Sequence, residues 1–501
     1  MRTLSKSKLI AFRQCPKRMW LELYKPELRE DSAQTLASFA VGNEVGTMAR
    51  RLYDPGGKGA LIDIQLEGFT VALQRSSELL RSNRPIFEAG FSAAGGVAFA
   101  DVMLPVRKGG KLAWRMLEVK SSTKVTPYQR DDLAVQAFVA RSAGIALAST
   151  SIAYVDTSWV YAGDGEYRGL LKEEDLTAEA SARHDEVSQW IGAAQMVAAL
   201  VKEPTREIGS HCSTPYACGF QEHCRGKKPE PKHPLAWLPN VQTKVLKAAI
   251  HDGGLVDMKQ VPDALLNERQ LRVKQHTLSG KVFFDRRGAA NDLAAQGFPA
   301  TFLDFETISL AVPIWIGIRP YQAIPFQFSV HRVSRTDKLD QQAFLDLSGD
   351  DPSYLLATAL LDACRLRGPI YAYGAAFEKN HINTLAKRFP SLRAQLLALN
   401  ARVVDLLPIA QHRYYHPSQC GTWSIKQVLP AIAPDLSYGG LNGVQDGNLA
   451  MEAFREAINP RTTLERKAEI GQQLLAYCRL DTYAMVKIWA QFAGRKAPLD
   501  A

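Results

Sequence analysis

The ten residues RGKKPEPKHP (Arg225–Pro234) can join neither a helix nor a sheet. Their prolines withhold backbone donors and their charges resist burial. A break there divides a chain of 501 residues that must in any case form more than one core, because single cores stop growing at roughly 250–300 residues. The expected organisation is a first domain over residues 1–224, a linker and small helical connector over 225–298 with a glycine turn at Gly253-Gly254, and a second domain over 299–496. From Thr301 the pattern is α/β: TFLDFET, AIPFQFSVHRV and QQAFLDL read as strands, followed by a helix near Tyr354–Leu366. PIYAYG (strand), FEKNHINTLAKRF (helix), ARVVDLL (strand) and a long helix near Leu464–Trp489 complete it.

Composition narrows the functional class. Lys plus Arg outnumber Asp plus Glu by 61 to 51, a net +10 that suits a polyanionic partner. The start, MRTLSKSKLIAFRQC, has no apolar h-region, and no run approaches the roughly 18 apolar residues of a membrane span. A cytoplasmic, soluble protein with no membrane partner is expected. Its seven cysteines then favour metal ligation or burial over disulfides.

FADVMLPVRKGGKLAWRMLEVKSS predicts two strands around a Gly109-Gly110 turn. With that turn, cross-strand partners have numbers summing to 219, which sets Asp101 opposite Glu118, with Lys120 on the same face. Two facing carboxylates and an ammonium suit Mg²⁺ or Mn²⁺ and a phosphate; a solvent-facing hairpin with ordinary charges is the plain alternative. Nearby, Cys212, Cys218 and Cys224 have five residues between each and the next, and Cys15 lies at the other end of the region. Such thiolates can enclose an iron–sulfur cluster or Zn²⁺, with His211 and His223 as further donors. Cys364, Cys420 and Cys478 read as packed thiols.

A second acidic set lies in the other half. Asp304 and Glu306 alternate with apolar residues and leave their strand on one face. Tyr477 and Asp481 are one helical turn apart. With Glu378, these carboxylates can hold two divalent ions, and the tyrosine can orient an attacking water.

The first region resembles the RecB-type branch of the PD-(D/E)XK nucleases, particularly the iron–sulfur members of CRISPR adaptation and AddB-type helicase-nucleases. Ser7-x-Leu9-x-x-Phe12-x-x-Cys15-Pro16-x-Arg18, then Glu88, Asp101, Glu118-Val119-Lys120 and Gln136 carry that resemblance in order. It implies a restriction-endonuclease-like fold, a metal ligand at Glu44, supporting roles for Glu88 and Gln136, and a [4Fe–4S] cluster on Cys15, Cys212, Cys218 and Cys224. The second region resembles the DnaQ-like 3′–5′ exonucleases of the tyrosine subtype, as in RNase D. Asp304 and Glu306 match the first motif, Phe377-Glu378 falls where the second ends in Phe-Asp, and Tyr477 with Asp481 matches the third. This implies an RNase H-like fold, with Asp405 as a supporting aspartate. Lys426, in the Ser-Leu-Lys-like Ser424-Ile425-Lys426, reads as a phosphate contact or, more simply, a solvated lysine. As a whole the chain is similar to a bacterial family fusing these two nucleases; LDFET, PFQFSVH, YYHP, SIKQVLPA and YCRLDTYAMV carry the likeness in the second half.

The resulting expectation is a metal-dependent nuclease with two sites, cutting single-stranded DNA or DNA ends in end processing, repair or defence. An RNA-processing exonuclease and a non-catalytic nucleic-acid-binding protein are the alternatives. No G-x-x-x-x-G-K-[ST] is present, so any unwinding would come from a separate helicase.

Overall fold

The computed structural model describes residues 2–226, 231–251 and 254–499; linker residues 227–230 and Gly253 of the expected turn lie outside them. Helix makes up 47% of the chain and strand 18%, which places it in the mixed α/β class. Two compact units divide it, residues 1–228 with 310–322, and residues 229–309 with 323–501. No helix among the described residues is long and apolar enough to cross a membrane.

The first unit holds a seven-stranded sheet of β1 (Leu4–Ser5), β2 (Ala60–Leu61), β3 (Ile86–Ala93), β4 (Gly96–Lys108), β5 (Lys111–Lys120), β6 (Leu147–Val155) and β7 (Leu171–Asp175). The order is β2-β3-β4-β5-β6-β7, with β1 paired to the start of β4. The β4–β5 hairpin turns on Gly109 and Gly110, whose φ angles of +59° and +76° are the left-handed pair that a two-residue turn needs. Its pairs from Val102↔Leu117 to Lys108↔Lys111 all sum to 219, so the inferred register holds. β5 runs parallel to β6, and the crossover between them is a helix.

Four helices matter for the site: α1 (Lys6–Gln14), α2 (Pro16–Tyr24), α3 (Ala33–Tyr53) and α4 (Pro127–Ser142). α4 is the crossover. It starts on Pro127, whose missing N–H costs the first turn nothing, and the Gln129 side chain accepts the Thr126 N–H at 2.9 Å. Its Leu133, Val135 and Phe138 share a core with Met103, Trp114 and Ile152. Residues 310–322 complete the unit: Ala311 and Val312 are buried with Val45, Met48 and Leu170. The Tyr321 hydroxyl donates to the Ser121 carbonyl, and that of Tyr167 to the Pro313 carbonyl at 3.0 Å.

The second unit has a five-stranded sheet of β8 (Ala300–Ser309), β9 (Ala323–Val333), β10 (Leu339–Leu345), β11 (Ile370–Ala372) and β12 (Val403–Asp405). The order is β10-β9-β8-β11-β12, with antiparallel pairing on the first side and parallel pairing on the other. Its helices include α5 (Ser353–Ala363), α6 (Ala376–Arg388), α7 (Arg393–Asn400), α8 (Ile425–Ile432), α9 (Gly447–Ala457) and α10 (Leu464–Ala493). Sequence reading finds every one of these strands and misses α7, α8 and α9; α8 contains Pro430, which argues against a helix.

The expected connector is not a separate module. Leu246, Val273 and Leu293, from helices Lys244–His251, Glu268–Ser279 and Arg286–Ala294, are buried in one core with Phe302, Tyr371 and Trp489. Helices of this length cannot stand alone in water, so they take their stability from the second unit.

A chain ended at Gly226 lacks Ala311 and Val312 and exposes the residues they cover. Its first unit is expected to lose about 2 kcal/mol or more, read by calorimetry as a midpoint below that unit's transition in the whole chain. Equal midpoints would mean that residues 310–322 contribute nothing.

Candidate functional site

In the first unit three carboxylates stand in a row across adjacent strands. The register sets Glu118 of β5 opposite Asp101 of β4, next after Val102↔Leu117. On the other side, Phe87↔Val102 and Ala89↔Ala100 set Glu88 of β3 opposite Asp101. Glu88 holds φ at +57°, a left-handed conformation costing a non-glycine residue about 1 kcal/mol or more. The Asp101 carboxylate accepts the Val119 N–H at 2.6 Å, tying it to the backbone between Glu118 and Lys120.

Glu118 is the hub of this group. Its Oε1 accepts from Lys120 at 2.7 Å and from Lys6 of α1 at 2.8 Å, while Oε2 accepts from Gln136 of α4 at 2.6 Å. Asp132 of α4 lies 2.6 Å from Lys120 and 3.4 Å from Lys6. Burial pushes the Glu118 carboxyl up, but the Lys120 and Lys6 ammoniums outweigh it and hold the group well below its ordinary range. Asp101 moves the other way: burial, then the Glu118 charge, raise it well above its usual value. Glu88 is raised by the same two causes. Burial opposes charge on Lys120, yet Asp132 and Glu118 keep its proton bound more tightly than usual.

Sequence reasoning does not reach Lys6 or Asp132. The available signal is that Asp132 precedes Gln136 by one helical turn and so shares its face. Glu44 lies half-buried on α3, where its charge acts on Tyr167 and Tyr321. Among the described residues, Glu44, Asp101 and Glu118 do not bring donor atoms within 4.8 Å of one another, as a trio in the second unit does.

That trio is Asp304, Glu306 and Cys478. The Cys478 sulfur lies 3.8 Å from both the carbonyl and Oδ2 of Asp304, so it belongs to the acidic cluster rather than to ordinary packing. Cys364 is buried as expected, and Cys420 is half-buried. Asp481 Oδ1 accepts from the Tyr438 hydroxyl at 2.6 Å, and the Tyr438 and Tyr477 rings meet edge-on at 6.1 Å. Lys426 is half-buried: its Nζ sits 5.2 Å and 5.1 Å from the Tyr438 and Tyr477 ring centroids and donates to the Gln445 carbonyl at 2.8 Å, a contact still open to solvent. Tyr438 escapes sequence reading because it comes from a short turn between helices.

Glu378, in the first turn of α6, is 3% exposed, and its Oε2 has no hydrogen-bond partner. Asp405 Oδ1 accepts the Gly374 and Leu407 N–H groups, each at 2.9 Å, and thereby fixes the turn that leads into α6. Burial raises every acid of this cluster. Asp304 rises well above its usual value, with Asp481 and Glu306 adding to burial. Burial and the Asp481 charge push Glu306 up to about 8. Burial pushes Glu378 up to about 7 and Asp481 up to about 6, the latter against the Tyr438 hydrogen bond and the Lys426 charge. Burial and the adjacent carboxylates also raise Tyr477, which keeps its hydroxyl proton.

Cys15, between α1 and α2, lines one small cavity with Cys212, Cys218 and Cys224, beside Lys17 and Arg18. Gln14 ties α1 to the cysteine loop through the His211 and Tyr216 carbonyls at 2.7 and 2.8 Å. His223 turns to Glu203 at 3.0 Å, whereas His211 Nε2 stays 3.6 Å from the Cys212 sulfur. Among the described residues no three of these sulfurs lie mutually within 4.8 Å.

Residues 301–424 match a family model described as a domain of unknown function (DUF2779). The match takes in Asp304, Glu306, Glu378 and Asp405 but stops before Tyr477 and Asp481. No curated protein matches the chain.

The raised carboxyls carry a pH signature. In the folded, metal-free second unit, Glu306, Glu378 and Asp481 hold protons up to about 8, 7 and 6, whereas an unfolded chain releases them near pH 4. The folded state binds more protons across that window, so stability is greatest below it and falls as pH rises toward 8. Urea melts at pH 5 to 8 in EDTA are expected to show this decline, and Mn²⁺ is expected to flatten it. A midpoint that climbs with pH would contradict the burial of these acids.

Proposed function

We propose that the chain is a divalent-metal-dependent nuclease with two sites, one in each unit, acting on single-stranded DNA or DNA ends. The observation that carries this reading is the meeting of Asp304, Glu306 and Cys478 donor atoms within 4.8 Å, with the Asp481 and Glu378 charges acting on Asp304 and Glu378 Oε2 buried without a partner. Buried carboxylates in such company are costly unless a cation neutralises them. The order β10-β9-β8-β11-β12 supports an RNase H-like second unit. In the first, a hairpin bearing Asp101 and Glu118-x-Lys120, followed by a helix and a parallel strand, supports a PD-(D/E)XK nuclease.

Mg²⁺ or Mn²⁺, when bound, supplies neutralising charge for the phosphodiester and makes a nearby water more acidic. Asp304, Glu306, Glu378 and Asp481 are the residues that would hold it in the second unit, and Asp101 with Glu118 in the first. The chain's own groups then position the reactants. Tyr438 fixes Asp481 through its hydroxyl, and the Tyr477 hydroxyl, held protonated, can orient a water. Lys120, bound between Glu118 and Asp132, keeps its charge and can meet the charge that develops on phosphate. The four cysteines, which line one cavity, are assigned to a [4Fe–4S] cluster, with Zn²⁺ as the alternative. Such a centre would clip Cys15 to the loop near Cys212 and restrict the unfolded chain.

Anaerobically purified protein, given 5′- and 3′-labelled single-stranded DNA in Mg²⁺ or Mn²⁺, tests this against Glu118→Ala and Asp481→Ala. Each variant is expected to lose a different product ladder, and Gln136→Leu to weaken Mn²⁺ binding at the first site about 10-fold or more. Degradation of RNA alone would move the assignment to RNA processing. No cleavage, or ladders unchanged in both variants, would end the nuclease reading.

A further inference from the structure

A groove of about 710 Å³ opens beside the first acidic site. Lys6, Lys8, Arg18, Arg29 and Lys120 line it against two carboxylates, Glu22 and Asp132. Glu22 is buried and shared by three of the cations: 2.9 Å from Lys8, 2.9 Å from Arg18 and 3.6 Å from Arg29. Arg29 also has Asp31 at 2.9 Å, so two carboxylates face these three cations; the groove keeps a positive charge there and its charged heads are held in place.

Its inner end is Lys6. This ammonium has three donors, and Glu118 at 2.8 Å and Asp132 at 3.4 Å engage two of them. The Lys6 side chain remains 19% exposed, toward the groove it lines. The walls are aromatic. Tyr128 and Tyr216 pack edge-on at 5.7 Å, and Phe39 of α3 lies 51% exposed. The first half of α3 buries nothing, since its buried residues are Val45, Met48 and Ala49. A single exposed phenylalanine is unremarkable by itself; one that borders a row of fixed cations leading to a phosphodiesterase-like site has a use.

We propose that this groove is the approach path of one polynucleotide strand, with Lys6 gripping a phosphate at its inner end and Phe39 stacking on a base at its outer end. Cations that track a backbone beside aromatic faces that accept any base are how single strands are held without sequence preference. A duplex keeps its bases stacked inside and offers Phe39 no face. The inference rests on the nuclease reading for the class of substrate, and assigns to Lys6, Lys8 and Phe39 roles in binding rather than in bond cleavage.

The test is equilibrium binding of fluorescent dT20, rU20 and a blunt DNA duplex to the full-length protein in Ca²⁺, as a function of salt. Lys6→Gln and Lys8→Gln are each expected to lower the salt slope for dT20 by about 0.7, and Lys6→Arg to restore it. Phe39→Ala is expected to weaken dT20 binding roughly 5- to 100-fold with the slope unchanged. Duplex binding should move in none of these variants, and the dT20 and rU20 arms show which sugar the path accepts. Slopes equal to wild type in both lysine variants, or a duplex weakened as much as dT20, would overturn the proposal. A protein that binds as expected but cuts nothing keeps this inference and loses the nuclease reading; one that cuts with unaltered slopes does the reverse.

Discussion

Two carboxylates about 4 Å apart repel by roughly 4 kcal/mol at the effective dielectric of a protein site, and burial removes the water that would screen them. Each unit of this chain places acids under that constraint, and much of the local architecture answers it. In the first unit the answer is internal: Lys6 and Lys120 both reach Glu118 Oε1, and Asp132 holds the two ammoniums in turn. The strand and helix ends that deliver these groups are fixed by the hairpin register, the α4 cap and the α1–α2 junction at Cys15. In the second unit the internal answer is weaker. Lys426 reaches over Tyr438 and Tyr477, yet burial still leaves Asp304, Glu306 and Glu378 holding protons more tightly than ordinary carboxyls.

The two clusters therefore hold different reserves. Lys6, Lys120 and Gln136 occupy most of the acceptor capacity of Glu118, so a cation arriving there must compete with ammoniums that are already paired. The second cluster has idle capacity in Glu378 Oε2 and in carboxyls whose protons a cation can displace. Cys478 adds a thiol donor to that set, raised by burial and by Asp304. Softer divalent ions gain more from a sulfur donor than Mg²⁺ does.

What could be read from the sequence follows the range of the interactions involved. The 219 register is legible because a two-residue glycine turn leaves no freedom between strands, and Asp304-x-Glu306 because period-two alternation fixes a shared face. Tyr477 and Asp481 are legible from helical spacing alone. Lys6, Asp132, Tyr438 and the role of Lys426 are not, since each acts across more than ten residues of sequence on a partner that only the packed chain supplies. The connector misleads for the same reason: short amphipathic helices state that they need a core, not which one.

Residues 310–322 carry this point furthest. In sequence they are the link of a β-hairpin between β8 and β9, and a hairpin link of 2–5 residues is the common case. Here 13 residues leave the strand that bears Asp304 and Glu306, and their compact partners belong to the first unit. Ala311 and Val312 fill the space beside Val45 and Met48 of α3, and Tyr321 bonds the Ser121 carbonyl next to Lys120. A loop that long is costly to order unless it is packed along its length. Its packing residues thus give the first unit a core that its own contiguous sequence does not complete. The packing of α3 and of the chain just after Lys120 consequently draws on residues synthesised well after the linker, although the linker marks the division that composition makes visible.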